Sequence, residues 1–295
     1  MKVRFAVAPG SGAEEGVQIA PFADALESSG FDGVWLSDVP LTRVLDPLLG
    51  LALIAGRTTR LRLGANVVPL GRNPFLLAKE LAQLDRLSDG RLLLSFVPGL
   101  DHPSEREVLG LDGAGRGAVL EEVLGLLRRW WAGEAVEHRS ARWSFPAVAA
   151  VARPVQDPLE VWLGGRGPRA LERVGRIADG WLGAAITPEE ARLARERIQQ
   201  SAASADREID PEHFGLSIPY ARTAPDPALL RGLTARRPDI DPLTLVPVGP
   251  QALRELILGH IDAGLSKFVV RPAAAVTSWQ DEVDWLAAAI LNLQS

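Results

Sequence analysis

Eight short, almost unbroken apolar runs, each followed by a stretch of helical periodicity, constrain this chain more than any other feature. The runs are Val3–Pro9, Gly33–Asp38, Leu61–Val68, Arg91–Pro98, Leu159–Leu163, Gly180–Ala185, Phe214–Ala221 and Lys267–Pro272. Most do not alternate polar and apolar residues, so they read as strands buried on both faces. Between them, Val17–Ser28, Asp46–Gly56, Asn73–Leu87, Ala118–Trp131, Pro168–Ala178, Pro188–Ala202, Gln251–Ala263 and Trp279–Leu293 carry apolar residues at helical spacing. Such alternation predicts an α/β chain folded as a (β/α)8 TIM barrel, with a doubly wound open sheet as the alternative. A length of 295 residues with 47% hydrophobic content suits one such barrel spanning 1–295. The stretches at about 133–158 and 222–250 read as irregular insertions, and "EAVEHRSARWSF" within the first reads as a surface hairpin.

Composition removes several classes of function. A net charge of −5 gives no electrostatic reason to expect nucleic acid. With no cysteine, disulfides and thiolate chemistry are excluded, which points to a reducing compartment. The start "MKVRFAVAPGSG" goes straight into a strand, without the apolar core and cleavage site of a secretory leader. No apolar run is long enough to span a bilayer, so no membrane partner and a cytoplasmic location are expected. His102, His138, His213 and His260 form no HxH or HExxH pair, so no metal site is expected. No serine sits in a GxSxG elbow.

A barrel places its chemistry just beyond the carboxyl ends of its strands. Those ends include Ser37–Arg43, Asn66–Asn73, Pro98–His102, Gly164–Arg169 and Arg271–Ala273. Gly164, Gly165, Arg166 and Gly167 stand out, because they link an apolar run to a helix that opens with Pro168. Glycines let backbone N–H groups approach an anion, the helix start adds a positive dipole end, and the arginine adds charge-assisted bonds. The alternative is a tight turn whose glycines only solve a packing problem. Asp38, ending the second run, either accepts a ligand N–H or caps the following segment. Gly64 marks a bulge or a close backbone approach, and Asn66 is the one uncharged hydrogen-bonding side chain of that run. Asn73-Pro74 reads as a helix N-cap. Asp101 and His102, just past the fourth run, are further candidates for the site.

The segments "GFDGVWLSD", "TTRLRLGANVVPLGRNPFLLAKELAQLDRLSDGRLLLSFVPG" and "VWLGGRGPRALERVGRIADGWL" together resemble the bacterial luciferase-like monooxygenase superfamily. The resemblance extends to "VPVGPQALRELILGHIDAGLSKFVVRP" and is greatest to single-component oxidoreductases that use the deazaflavin coenzyme F420. It implies a barrel with a deazaflavin or flavin at the carboxyl face. Asp38 would then contact the heterocycle. Asn66 and Val67 would form a bulge behind it, often joined by a non-proline cis peptide. Pro98 and Gly99 would flank the ring, and Gly164, Gly165, Arg166 and Gly167 would hold the cofactor phosphate. Two positions depart from the pattern of the alcohol and sugar-phosphate dehydrogenases in this group. A histidine expected after Asp38 is Val39, and a glutamate expected at the end of the fourth strand is Leu100. Asp101 or His102 would be the nearest substitutes, and catalytic residues are otherwise unassigned.

The functional expectation is an F420-dependent oxidoreductase that transfers hydride to or from a small organic substrate. Without the acid–base pair, reduction of an activated double bond or imine fits better than alcohol oxidation. The rivals are an FMN-dependent monooxygenase fed by a separate reductase, a non-catalytic flavin or deazaflavin binder, and an unrelated phosphate-binding barrel enzyme. The resemblance also implies a homodimer, and "PLLGLALIAG" is apolar enough to join its interface.

Overall fold

The structure is a computed structural model that describes residues 1–10, 18–100, 102–111, 115–149 and 152–295. Eight parallel strands close into a barrel: β1 Arg4–Val7, β2 Gly33–Ser37, β3 Arg62–Val67, β4 Leu92–Phe96, then β7 Val161–Gly164, β8 Gly180–Ala184, β9 Phe214–Tyr220 and β10 Lys267–Pro272. The omitted numbers belong to an outlying antiparallel hairpin, β5 Ala135–Arg139 and β6 Ser144–Ala149. Barrel neighbours run β1-β10-β9-β8-β7-β4-β3-β2, so the fold is the (β/α)8 barrel that the alternation predicts.

Helices α1 Ile19–Ser29, α2 Pro47–Ala55, α3 Pro74–Leu87, α4 Pro103–Val108, α5 Arg116–Trp131, α6 Pro168–Ile177, α7 Pro188–Ala203, α8 Pro227–Arg236, α9 Gly249–Asp262 and α10 Trp279–Ile290 complete the chain. Side-chain acceptors open several of them. Asn73 Oδ1 accepts from the amides of Phe75 and Leu76, and Asp46 does the same for Leu48 and Leu49. Thr187 and Glu190 form a reciprocal capping box on α7.

Alternate strand residues point to opposite sides. Phe5, Val34, Leu63 and Phe268 face outward into the core shared with the helices. Trp35, Leu182 and Val269 form a separate cluster inside the barrel, with Trp162 packed against it. The glycines on neighbouring strands make room for these indoles. A Cβ on Gly64 would stand 1.9 Å from the Trp35 ring, and one on Gly180 would stand 2.5 Å from Trp162. Gly64 therefore marks a close approach rather than a bulge.

The expectation of a bulge at Asn66 and Val67 is not met. Asn66 pairs with Ser37 and Ser95, and Val67 pairs with Phe96, in unbroken register. No extra residue is left over, which a bulge requires. The Asn66–Val67 bond is trans, and the only cis peptide among the described residues is Asp157–Pro158.

The stretches expected to be irregular carry structure. The hairpin docks on α5, where Trp130 Nε1–H donates to the Val148 carbonyl at 3.0 Å. The segment behind it is tied down by Asp85, which is wholly buried. Its carboxylate accepts from the amides of Val155 and Gln156 at 2.7 and 2.9 Å and from Gln156 Nε2 at 2.6 Å. A buried carboxylate so satisfied anchors the approach to β7. The second stretch contains α8 and a short 3-10 turn at Pro242–Thr244.

Candidate functional site

Strand carboxyl ends surround a cavity of about 1000 Å³. Its floor is the inward cluster of Trp35, Leu182 and Val269, which keeps the bottom apolar. Above it, Ser37, Asp38 and Asn66 stand on the β2–β3 side. Asn66 Nδ2 donates to Ser37 Oγ at 3.0 Å, so the two polar side chains fix each other. Asp38 is held from two directions: its Oδ2 accepts from the Val68 amide at 3.2 Å and from Arg72 Nη2 at 2.8 Å. Arg72 bridges onward to Asp46, the α2 cap, at 3.0 Å. Asp38 thus faces the cavity and ties the end of β2 to the loop after β3, and its side-chain partners among the described residues do not include the segment it was expected to cap.

Beyond β4 the wall is made by Val97, Gly99, Leu100 and Glu105. Glu105 belongs to α4, is 1% exposed, and accepts the Leu100 amide through Oε1 at 2.6 Å. Gly99 has φ +71°, and a Cβ there would meet that same oxygen at 2.2 Å. A glycine is therefore what lets the carboxylate fold back over the loop.

Gly164 and Gly165 bring bare backbone to the β7 side of the cavity. Gly165 has φ +111°, and a Cβ on it would lie 2.8 Å from the Ala170 side chain. Its carbonyl is fixed by Trp181 Nε1–H at 2.8 Å. The amides of Gly165, Arg166 and Gly167 have no acceptor among the described residues. Gly167 is the N-cap of α6 and offers no side chain to it, and a Cβ there would meet nothing within 4 Å. Free amides at the start of a ten-residue helix can bind an anion.

Not every predicted residue reaches the cavity wall. Val67 is fully buried in the outer core. Pro98 lies between the lining residues Val97 and Gly99 without lining the cavity itself. Arg166 is exposed, and its Nη2 donates to the Arg236 carbonyl at 2.8 Å, which turns it over the α6–α7 groove. His102 is exposed at the start of α4, and Asp101 lies outside the described residues. Glu105, Trp35 and Arg236 line the cavity although the sequence reading assigned them no role. Arg271 stands at a predicted strand end and lines it too. Among the described residues no three metal-ligating side chains converge, and no helix is long and apolar enough to cross a membrane.

Eight parallel strands closed into a barrel, with an apolar-floored cavity and a glycine loop at their carboxyl ends, define the class as a (β/α)8 barrel. The chain belongs to the luciferase-like monooxygenase family, whose model matches residues 2–241. A 5,10-methylenetetrahydromethanopterin reductase from Methanolobus tindarius is 28% identical over 193 residues, 65% of this chain and 57% of that protein. An F420-dependent glucose-6-phosphate dehydrogenase from Kineococcus radiotolerans is 29% identical over 182 residues, 56% of this chain and 51% of the relative. The matched region thus spans about half the length of these curated relatives. A solved F420-dependent secondary alcohol dehydrogenase superposes with a TM-score of 0.82 at 15% identity, with 100% of each chain covered. At that identity the likeness establishes the fold.

Proposed function

We propose that this chain is an oxidoreductase that binds coenzyme F420 in the cavity and passes hydride between it and a small organic substrate. The observation that carries this reading is the glycine loop: Gly164 and Gly165 line a cavity roomy enough for a fused ring system, and the unbonded amides of Gly165, Arg166 and Gly167 run from that wall to the start of α6. That donor set suits a phosphate, and relatives at 28–29% identity include an F420-dependent enzyme. Bound there, the deazaflavin would supply the carbon that accepts or gives hydride. The chain's own task is positioning and exclusion of water. Trp35, Leu182 and Val269 form a dry floor under the reacting atoms. Asp38, clamped by Arg72 and the Val68 amide, presents a fixed acceptor to a ring N–H. Val39 cannot take a proton from an alcohol. Glu105 brings a carboxyl group to the β4 side that Leu100 leaves bare, and it is the candidate proton donor for reduction of an imine or activated double bond.

An FMN-dependent monooxygenase is the second reading. It is supported by the family model and by the fold of a monooxygenase from Streptomyces bottropensis, TM-score 0.78 at 21% identity over 98% of this chain and 99% of that one. The absence of cysteine favours a reducing, cytoplasmic setting. A homodimer is part of the same proposal, through α2 and α3.

The test is titration of the purified protein with F420 and with FMN, each oxidised and reduced, followed by fluorescence. Turnover against imines, enones and alcohols comes second. Micromolar binding of F420 with turnover of an imine or enone is expected, and Glu105→Gln should lower that rate on the order of 100-fold at unchanged F420 affinity. Binding of FMN alone transfers the assignment to the second reading. F420 binding with silence across the whole panel makes the chain a binder, and binding of neither overturns both cofactor readings.

A further inference from the structure

Arginines in this chain are as a rule given partners, and Arg237 shows how completely. Its side chain is 1% exposed and bonds to Glu190 at 2.7 Å, to both oxygens of Asp239 at 3.0 and 2.8 Å, and to the Ala185 carbonyl at 2.5 Å. Ala185 itself sits at φ +54°, so this bond braces a left-handed turn directly after β8.

Its neighbour on α8 is treated differently. Arg236 spends its Nε on the Gly232 carbonyl at 3.0 Å and forms no ion pair among the described residues. Arg271, on β10, takes the inward position two residues after Val269. It has no acceptor among the described residues. Both arginines line the main cavity, and both line a smaller one of about 50 Å³ that also touches Ser217 and His260. Burial, and secondarily the like charge of Arg236, pulls the Arg271 guanidinium down to about 10. The carboxylates on the cavity wall are engaged elsewhere, Asp38 by Arg72 and Glu105 by the Leu100 amide. A half-buried Arg271 guanidinium beside the exposed, like-charged Arg236, with no carboxylate supplied, leaves an anion as the missing partner.

We propose that Arg236 and Arg271 form an anion subsite that grips a carboxylate or phosphate carried by the substrate. The glycine loop ends β7, and β8 and β9 stand between it and β10. Three strand spacings put the Arg271 backbone about 14 Å along the wall from that loop, while Arg236 lies nearer to it, its carbonyl accepting from Arg166 Nη2 at 2.8 Å. Planar guanidinium forks favour bidentate recognition of an oxyanion. A small acid or phosphate ester would therefore lie with its charged end at β10 and its reactive end over the apolar floor. Naming the ligand as substrate rests on the cofactor reading, whereas the binding of an anion by these arginines does not.

Inorganic phosphate is the probe, titrated calorimetrically into the full chain in two settings. One is protein saturated with F420. The other is cofactor-free Gly167→Asp protein, in which a carboxylate occupies the helix start. In both, one phosphate should bind per chain, at least tenfold more weakly in Arg271→Met and severalfold more weakly in Arg236→Met. Arg271→Lys should recover part of the affinity, and it serves in place of the methionine variant should that one fail to fold. F420 affinity should stay within twofold in every arginine variant. Phosphate binding indifferent to Arg271 overturns the proposal. So does F420 affinity falling in step with phosphate affinity, which would assign the pair to the cofactor tail. Should F420 not bind at all, the cofactor reading fails alone, and the Gly167→Asp titration still decides the subsite.

Discussion

Among single residues, His260 has the least ordinary surroundings. It is wholly buried on α9, and neither ring nitrogen has a partner among the described residues. Burial alone moves its pKa from 6.5 to about 4. The folded state therefore holds the ring neutral at pH values where the unfolded chain takes up a proton. Buried without a partner, the ring costs no protonation free energy above pH 6.5, and the fold loses stability as pH falls from 6.5 towards 4. For such a shift the loss at pH 5 is about 2 kcal/mol. Urea unfolding of the wild type and of His260→Leu at pH 5 and 7.5 should show that limb in the wild type alone, and equal pH slopes would rule out the assignment. His260 was visible in the sequence as one of four scattered histidines, but nothing local separates a buried ring from an exposed one such as His102. Glu105 makes the same point. It lies on a six-residue helix too short for periodicity to reveal, and its place on the cavity wall depends on the positive φ of Gly99.

At the scale of elements, the strand positions were legible because barrel strands are continuous apolar runs. Every barrel strand lies within its predicted run or no more than one residue beyond it. Missing from the reading were α4 and α8, the latter hidden in a segment rich in Pro, Arg and Asp. The signal for α8 was present: Asp226-Pro227 repeats the cap-and-proline start of Asn73-Pro74, and Asp226 Oδ1 accepts the Ala228 amide at 2.7 Å. The start of α6 carries the sharpest test at this scale. A capping aspartate at position 167 has open space around it and complements the helix dipole. Gly167→Asp should therefore leave the thermal midpoint unchanged or raise stability by about 0.5 kcal/mol, while F420 binding is lost. A variant that is no less stable and still binds the cofactor would leave the glycine loop with only its turn to make.

For the whole molecule, the proposed homodimer would use α2 and α3. Leu49 and Leu53 of α2 are 68% and 48% exposed, and Leu76 of α3 is 53% exposed. This apolar face is where the proposed homodimer would close. Light scattering should give twice the chain mass for the wild type and the single-chain mass for a Leu49→Glu, Leu53→Glu double variant. A wild type that is monomeric at micromolar concentration would remove the dimer. The barrel, and with it where the carboxyl ends of the strands fall, could be read from the chain alone, because period and apolar content are local properties that each segment carries by itself. Only the tertiary structure decided which side chains share the cavity. It set Glu105 against the β4 loop, turned Arg166 over the α6–α7 groove towards the Arg236 carbonyl, kept the β3 ladder regular through Asn66, and put Arg236 and Arg271 on one cavity wall. Those outcomes depend on contacts between residues far apart along the chain, such as Asp85 with Gln156 or Arg237 with Glu190, and no local pattern encodes them.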